Sequence, residues 1–404
     1  MPWNRSASFL FFISIFLLLL IGCSGEPESF PVLKPATEID SPAGLESSVP
    51  NLFADGAGNL FLSWTEATAN KEDALYFSIL KADAWSNPVK IASGPHWFVN
   101  WADVPSVASD GKGNLIANYL VKSGTRSFGY DLHLVLSSDH GRHWGDPIIP
   151  HDDRTQTEHG FVSFLPQGDG QFFVAWLDGR NNTPSARKKG GSQSLRAAFI
   201  DVEGTMSNEG PVDLRVCDCC QPSAVPMPHG PAIVYRDRSG KEIRDISITW
   251  RDNGRWVGPF PVARDNWEIY GCPVDGPRAE RFDNTLGVTW FTAAQGQPRV
   301  QVAFSEDQGK TFGDPIRVDD GKPVGRPDVV MLNSTTAMVA WLESVKNYEQ
   351  IRVRKVFKNG KAENSFEVAG IAGSSGFPQM SKFNGHVYLA WADGNRVRTA
   401  SLQP

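Results

Sequence analysis

Four cysteines carry the most concentrated chemistry in the chain. Cys217, Cys219 and Cys220 fall within "RVCDCCQPSA", and Cys272 follows in "NWEIYGCPVDG". Thiols in this number can pair as disulfides, hold a soft metal or exchange electrons, and the compartment bears on which. Four is an even number, and adjacent cysteines rarely bond each other because the geometry is strained. Cys219 and Cys220 therefore each call for a partner elsewhere. For an exported chain the expectation is two disulfides among Cys217, Cys219, Cys220 and Cys272, one of them reaching Cys272. Copper(I) or zinc is the alternative, with Met227 and His229 of "MPHG" close by, although the spacing matches no zinc pattern. A redox centre is the third and is set last, because the cluster is not read as a C-x-x-C motif. On the leading reading no metal and no cofactor is expected.

A second group of side chains suits ligand recognition. "GPHWFVNWADVP" offers His96, Trp97, Trp101 and Asp103, and "PHDDRTQTEHG" offers His151, Asp152, Asp153 and His159. "LDGR" supplies Asp178 and Arg180, and "YRDRSGKEIRD" supplies Arg236, Asp237, Arg238, Arg244 and Asp245. Trp267, Tyr270, Asp275 and Arg278 follow, then Arg326 and Asp328 in "VGRPD". Arginines are the side chains that grip carboxylates through paired N–H donors. Each can equally brace a loop by pairing with a neighbouring carboxylate.

The elements that position these groups are short strands. With Gly 38, Pro 28 and Trp 13 and no long 3.6-residue periodicity, the composition points to strands joined by turns. An aromatic residue closing an apolar strand, usually followed two places on by a carboxylate, recurs at Trp64, Tyr119, Trp176, Tyr235, Trp290, Trp341 and Trp391. The intervals are 55, 57, 59, 55, 51 and 50 residues, each with room for four strands. Such a period predicts an all-β propeller of four-stranded antiparallel blades, seven blades favoured and six the alternative. The last repeat holds only three strands, so Pro31 to Ile39 is expected to supply the fourth and close the ring. One domain is expected over residues 31–404.

A second series runs in phase with the first: Trp85, Trp144, Trp256 and Phe312. Two members close the longer motifs "SSDHGRHW" (Ser137, Asp139, Gly141, Trp144) and "SEDQGKTF" (Ser305, Asp307, Gly309, Phe312), 168 residues apart. These resemble the Asp-box, or BNR repeat, of the sialidase-like superfamily, and "WRDNGRW" resembles a degenerate copy. In that motif the Asp accepts N–H bonds across a turn, Gly takes a positive φ, and the aromatic wedges between blades. The resemblance implies that these turns lie on the face opposite the ligand. With strands named A to D outward from the axis, the D–A connectors and B–C loops then crowd the ligand rim. The cysteine segments are the connectors into blades four and five, neighbours on that rim.

The whole chain after residue 30 resembles that superfamily, and together "CDCCQP", "YRDRSG" and "GCPVDGP" look like uncharacterised bacterial BNR-repeat lipoproteins. A sialidase clamps a carboxylate with three arginines, uses a Tyr–Glu pair as nucleophile and an Asp as acid. The resemblance therefore implies Arg236, Arg278 and Arg326 as a clamp, with Tyr270 and Asp178 for the other roles and Arg180 and Arg238 as further ligand contacts. The Arg-Ile-Pro motif that opens true sialidases is absent, and sialidases have six blades. A rim that binds a glycan or protein ligand is accordingly favoured over an exo-sialidase-like glycosidase, with copper or zinc handling by the cysteines a further alternative.

The N-terminus addresses the compartment. Arg5 precedes the apolar run "FLFFISIFLLLLIG", which is too short for a comfortable bilayer span. The run ends in "LIGC", which resembles a lipoprotein box and implies a signal peptide over 1–22, acylation of Cys23 and a tether over 23–30. Ser24 in place of an inner-membrane retention Asp implies the outer membrane if the cell is Gram-negative. The formal charge of −6, with only "ARKKGG" as a basic cluster, argues against nucleic acid. A membrane-anchored monomer is expected.

Overall fold

The computed structural model describes residues 36–187, 191–346, 348–371 and 376–404. Cys23 and the signal and tether segments lie outside them. Seven antiparallel sheets follow one another around an axis. Blade three is typical: His159–Gly168, Gln171–Asp178, Gln193–Asp201 and Met206–Val216 pair in that order. Blade two pairs Val107–Ser109, Leu115–Lys122 and Tyr130–Ser137. Its outer edge is completed by Ile148, which exchanges two backbone bonds of 2.8 Å with Leu134. Blade seven has three strands from the C-terminus and a fourth, Thr37–Ile39, paired to Arg396–Leu402 with Thr37 opposite Ser401. The expected closure is thus observed over 37–39; Ala36 precedes the strand, and residues 31–35 of the expected segment lie outside the described residues.

All seven repeat aromatics sit on the second strand of their blades. The carboxylate two places later has a physical reason. An indole N–H buried in the core needs an acceptor, and residue i+2 lies on the same face of the strand. Trp64 donates to Glu66 (2.7 Å), Trp176 to Asp178 (3.1 Å) and Trp341 to Glu343 (2.6 Å). Trp290, followed instead by Thr292, donates to Asp265 (2.7 Å).

The core is divided among the blade interfaces. Apolar clusters join each blade to the next around the ring, such as Leu132, Leu134 and Leu136 of blade two against Phe172, Val174 and Trp176 of blade three. Both faces of a central strand are buried, so these strands read as nearly unbroken apolar runs.

The two Asp-boxes take the expected form. Asp139 accepts from the His143 N–H and Asp307 from the Thr311 N–H, both at 2.9 Å. Gly141 and Gly309 have φ of 78° and 84°. Trp144 packs edge-on against Phe77 of blade one, while Phe312 packs on the interface of blades four and five. These turns join third to fourth strands, which places them opposite the D–A and B–C rim. An open groove of about 940 Å³ runs beside Asp307, Thr311 and Phe312. Its lining comes from that turn and from Lys358–Gly360.

Candidate functional site

The rim holds a cleft of about 590 Å³ lined by Phe98, Trp101, Phe128, Tyr130, Glu158, Phe161, Asn182, Asp218, Cys219, Arg238 and Cys272, among others. These residues come from the connectors into blades two to five and from the B–C loops of blades two to four. The aromatic wall is built by stacking. Phe98 stacks on Tyr130 with centroids 4.3 Å apart and meets Phe128 edge-on at 6.1 Å. Trp101 stacks on Phe377 at 6.0 Å, and the Arg326 guanidinium lies 4.2 Å from the Trp101 ring. Phe128 and Trp101 remain 62 % and 41 % exposed, unusual for large apolar side chains.

Behind this wall Asp103 is fully buried. It accepts from Tyr130 Oη (3.1 Å) and the Phe161 N–H (2.7 Å), and burial pushes its carboxyl up to about 7 against these bonds. Its neighbour Glu158 raises both Asp103 and Tyr130 further. Gly160 is required here, because a Cβ would fall 2.0 Å from Asp103 Oδ2.

The three arginines named as a clamp share one electrostatic neighbour, a carboxylate of the chain itself, although none pairs with it through its side chain among the described contacts. Arg236, Arg326 and Arg278 all bear on Asp275, which burial nonetheless raises to about 7. Asp275 also accepts the Arg326 N–H at 2.8 Å. Arg236 is 1 % exposed and spends its donors on three backbone carbonyls, those of Asp275, Arg244 and Phe291. Arg278 reaches Gln221 and lines an axial channel of about 590 Å³ formed by the innermost strands. Of the three, Arg236 is the one whose donors are spent inside the chain.

The remaining candidates also sort by contact. Asp178 is fully buried, gripped by Arg180 through two bonds of 2.7 and 2.9 Å, and held below the usual carboxylate range despite its burial. It is the repeat's indole acceptor, ionised, and has no proton to give. Tyr270 is 81 % exposed beside Glu268, which raises its hydroxyl, and it does not line the cleft. Arg238 does line the cleft, committed to Asp218 and Glu242. His151 and His159 stack at 3.7 Å beneath the surface, flanked by Asp131, Asp153 and Asp178.

Phe98, Phe128, Tyr130, Phe161, Asn182 and Glu158 are cleft residues that sequence reasoning missed. The signal was aromatic rather than charged: "HWFVNW" and "RSFGY" place bulky apolar side chains in segments that the repeat phase assigns to loops.

Among the cysteines, Cys219 and Cys272 form a disulfide that ties the connectors into blades four and five, with Cα atoms 6.3 Å apart. It is the bridge expected to reach Cys272. Cys217 and Cys220 are buried thiols with sulfurs 2.6 Å apart, so the second expected bridge is a dithiol here. Their spacing is C-x-x-C, which reading the cluster as disulfide halves passed over.

Residues 58–339 match the family model of the BNR repeat-like domain. No curated protein sequence matches the chain. A Dyadobacter fermentans DSM 18053 protein of unknown function superposes with a TM-score of 0.52 at 12 % identity, covering 93 % of this chain and 100 % of that one. A Penicillium chrysogenum α-L-arabinanase complexed with arabinobiose superposes with a TM-score of 0.50 at 13 % identity, covering 92 % and 99 %. At such identities the likeness is one of fold. The match over most of the blades, together with the Asp-boxes they carry, makes the chain a member of the BNR repeat-like domain family, a sialidase-like propeller.

Proposed function

We propose that the rim cleft binds an uncharged saccharide, and that Cys23 anchors the propeller to a membrane by a lipid. The observation that carries the first reading is the aromatic wall, with Trp101 and Phe128 presented to solvent across one cleft. Aromatic faces stack on the C–H faces of sugar rings, and Asn100 and Asn182 lie among the lining residues beside them. The charges disfavour an anionic ligand, since Glu158 and Asp218 both line the cleft. Arg238, the cation among the described lining residues, is neutralised by Asp218 and Glu242. That the arabinanase scaffold holds arabinobiose is in keeping with a sugar on a fold of this kind.

Calorimetric titration against a panel of neutral oligosaccharides tests this. Trp101→Ala and Phe128→Ala are each expected to weaken binding about tenfold, the equivalent of ~1.4 kcal/mol of stacking. Binding that survives both changes, or a preference for polyanions, would remove the assignment.

One arrangement favours a second reading, glycoside hydrolysis. Asp103 is a carboxyl raised to about 7 with Tyr130 and Glu158 alongside, as an acid catalyst needs. Its burial behind Phe161 and Tyr130 keeps it from the cleft, so binding is the better-supported function. Neither aryl sialosides nor neutral aryl glycosides should be turned over. Turnover lost in Glu158→Gln would establish the enzyme reading.

Anchoring rests on "LIGC". Cys23→Ala is expected to move the protein from the detergent phase to the aqueous phase. Unchanged partitioning would sink the lipid anchor.

A further inference from the structure

The four cysteines bring a dithiol and a disulfide into contact. Cys217 Sγ lies 2.6 Å from Cys220 Sγ and 3.9 Å from Cys272 Sγ, and Cys272 is itself bonded to Cys219. All four sulfurs fall within 4.8 Å of one another. Burial differs sharply across the group. Cys217 and Cys220 are each 1 % exposed, Cys219 is half-buried, and Cys272 is exposed. The disulfide lines the aromatic cleft and the dithiol lies behind it.

We propose that the cluster is a thiol–disulfide exchange centre, in which the buried Cys217/Cys220 dithiol reduces the Cys219–Cys272 bridge and so presents a dithiol to disulfides of molecules entering the cleft. The Cys217 thiolate attacks the Cys272 sulfur. The 217–272 bond forms, the 272–219 bond breaks, and its electron pair leaves on Cys219, which takes up a proton at the cleft. Cys220, deprotonated in turn, attacks the Cys217 sulfur. The 217–220 bond forms, the 217–272 bond breaks, and Cys272 leaves as the second cleft thiol. Two electrons and two protons pass from the inner pair to the outer one, so the internal rearrangement needs no outside oxidant. An external disulfide can then be reduced by the outer pair, with Cys272 the accessible nucleophile.

The surroundings suit Cys217 to the first attack. Arg244 Nη1 lies 3.5 Å from its sulfur, and Arg236 is near enough to act on it as well. Burial pushes this thiol up, but the Cys220 contact and the two guanidinium groups outweigh it and bring Cys217 down to about 7. Cys220 is pushed up by burial and by Cys217. A nucleophile near ambient pH beside a partner that stays protonated until needed is the division of labour that exchange requires. The proposal is independent of the saccharide reading, since it concerns the cleft wall and not what else the cleft holds.

The test is bridge mapping on the full chain. The protein is equilibrated in a series of reduced-to-oxidised glutathione ratios, quenched in acid, alkylated and mapped by mass spectrometry. At intermediate ratios a species with Cys217–Cys220 bridged and both Cys219 and Cys272 alkylated is expected. Cys220→Ser should arrest at the Cys217–Cys272 bridge, and Cys217→Ser should form neither rearranged bridge while keeping its melting temperature. Finding only the Cys219–Cys272 bridge and the four-thiol form at every ratio would overturn the proposal. So would one zinc or copper per native chain that shields all four thiols from alkylation. Should either variant fail to fold, the wild-type map alone decides.

Discussion

Arg236→Ala is expected to destabilise the propeller by about 4 kcal/mol, read as a fall in the urea midpoint at unchanged slope. The side chain leaves the second strand of blade four and is 1 % exposed. Its Nε donates to the Asp275 carbonyl at 2.9 Å, Nη1 to Arg244 at 2.8 Å and Nη2 to Phe291 at 2.7 Å. These acceptors belong to the connector into blade five, the B–C loop of blade four and the second strand of blade five. Truncation leaves three carbonyls without this donor, each costing on the order of 1 kcal/mol or more, and removes the cation resting 5.0 Å from the Trp267 ring. Arg236→Lys should recover little, because one ammonium cannot reproduce the planar fork. By contrast Arg398→Ala, which breaks an exposed pair with Glu38, should cost under about 1 kcal/mol. A loss below about 1 kcal/mol in Arg236→Ala would show that the connectors hold without it.

That arginine illustrates what the sequence could and could not convey. Blade number, strand pairing and ring closure were legible because each repeat must solve the same problem of burying an indole and its N–H. Trp64, Trp176 and Trp341 therefore carry their acceptors at a fixed distance along the chain. The Asp-box turns were legible for the same reason, since Asp139 and Asp307 serve amides only four residues away. Local partners leave a periodic trace.

The rim leaves none, because its partners are distant in sequence. Arg236, Arg278 and Arg326 all act electrostatically on one acid, Asp275, which arrives from a connector with no repeat to mark it. A motif search finds three arginines and cannot tell whether the carboxylate between them comes from a ligand or from the chain. Asp178 was misleading in the opposite way. Placed by its period, it looked like a rim acid, but its partners are Trp176 and Arg180. The cleft itself depends on Phe98 lying on Tyr130 across 32 positions of chain, a contact that only the folded blade brings about.

The buried carboxylates that result should make the protein more stable at pH 5 than at pH 8. Burial raises Asp103, Asp275 and Glu280 to about 7, and Asp237 and Asp328 to about 6, from ordinary values of 3.8 and 4.5. A group whose folded pKa exceeds its unfolded one binds a proton more tightly when folded. Its contribution is complete below the unfolded pKa and is lost as pH rises through the folded one. For these five the loss falls between about pH 4 and pH 7. His159 works in the same direction, since Asp153 and Asp178 raise it against the effect of burial. His133, lowered by burial, opposes the trend as a single group. Asp139, Asp153, Asp178 and Asp307 are all held below the usual range, so their stabilisation is present above about 3.8 and is lost only in stronger acid. The maximum should therefore lie near pH 4–5, with a melting temperature that declines to about pH 7 and levels off above it. Asp103→Asn keeps an acceptor for the Phe161 N–H and cannot ionise, so it should flatten part of that decline. A melting temperature that is level or rising between pH 5 and pH 8 would mean that these carboxylates ionise in place, neutralised by the arginines around them.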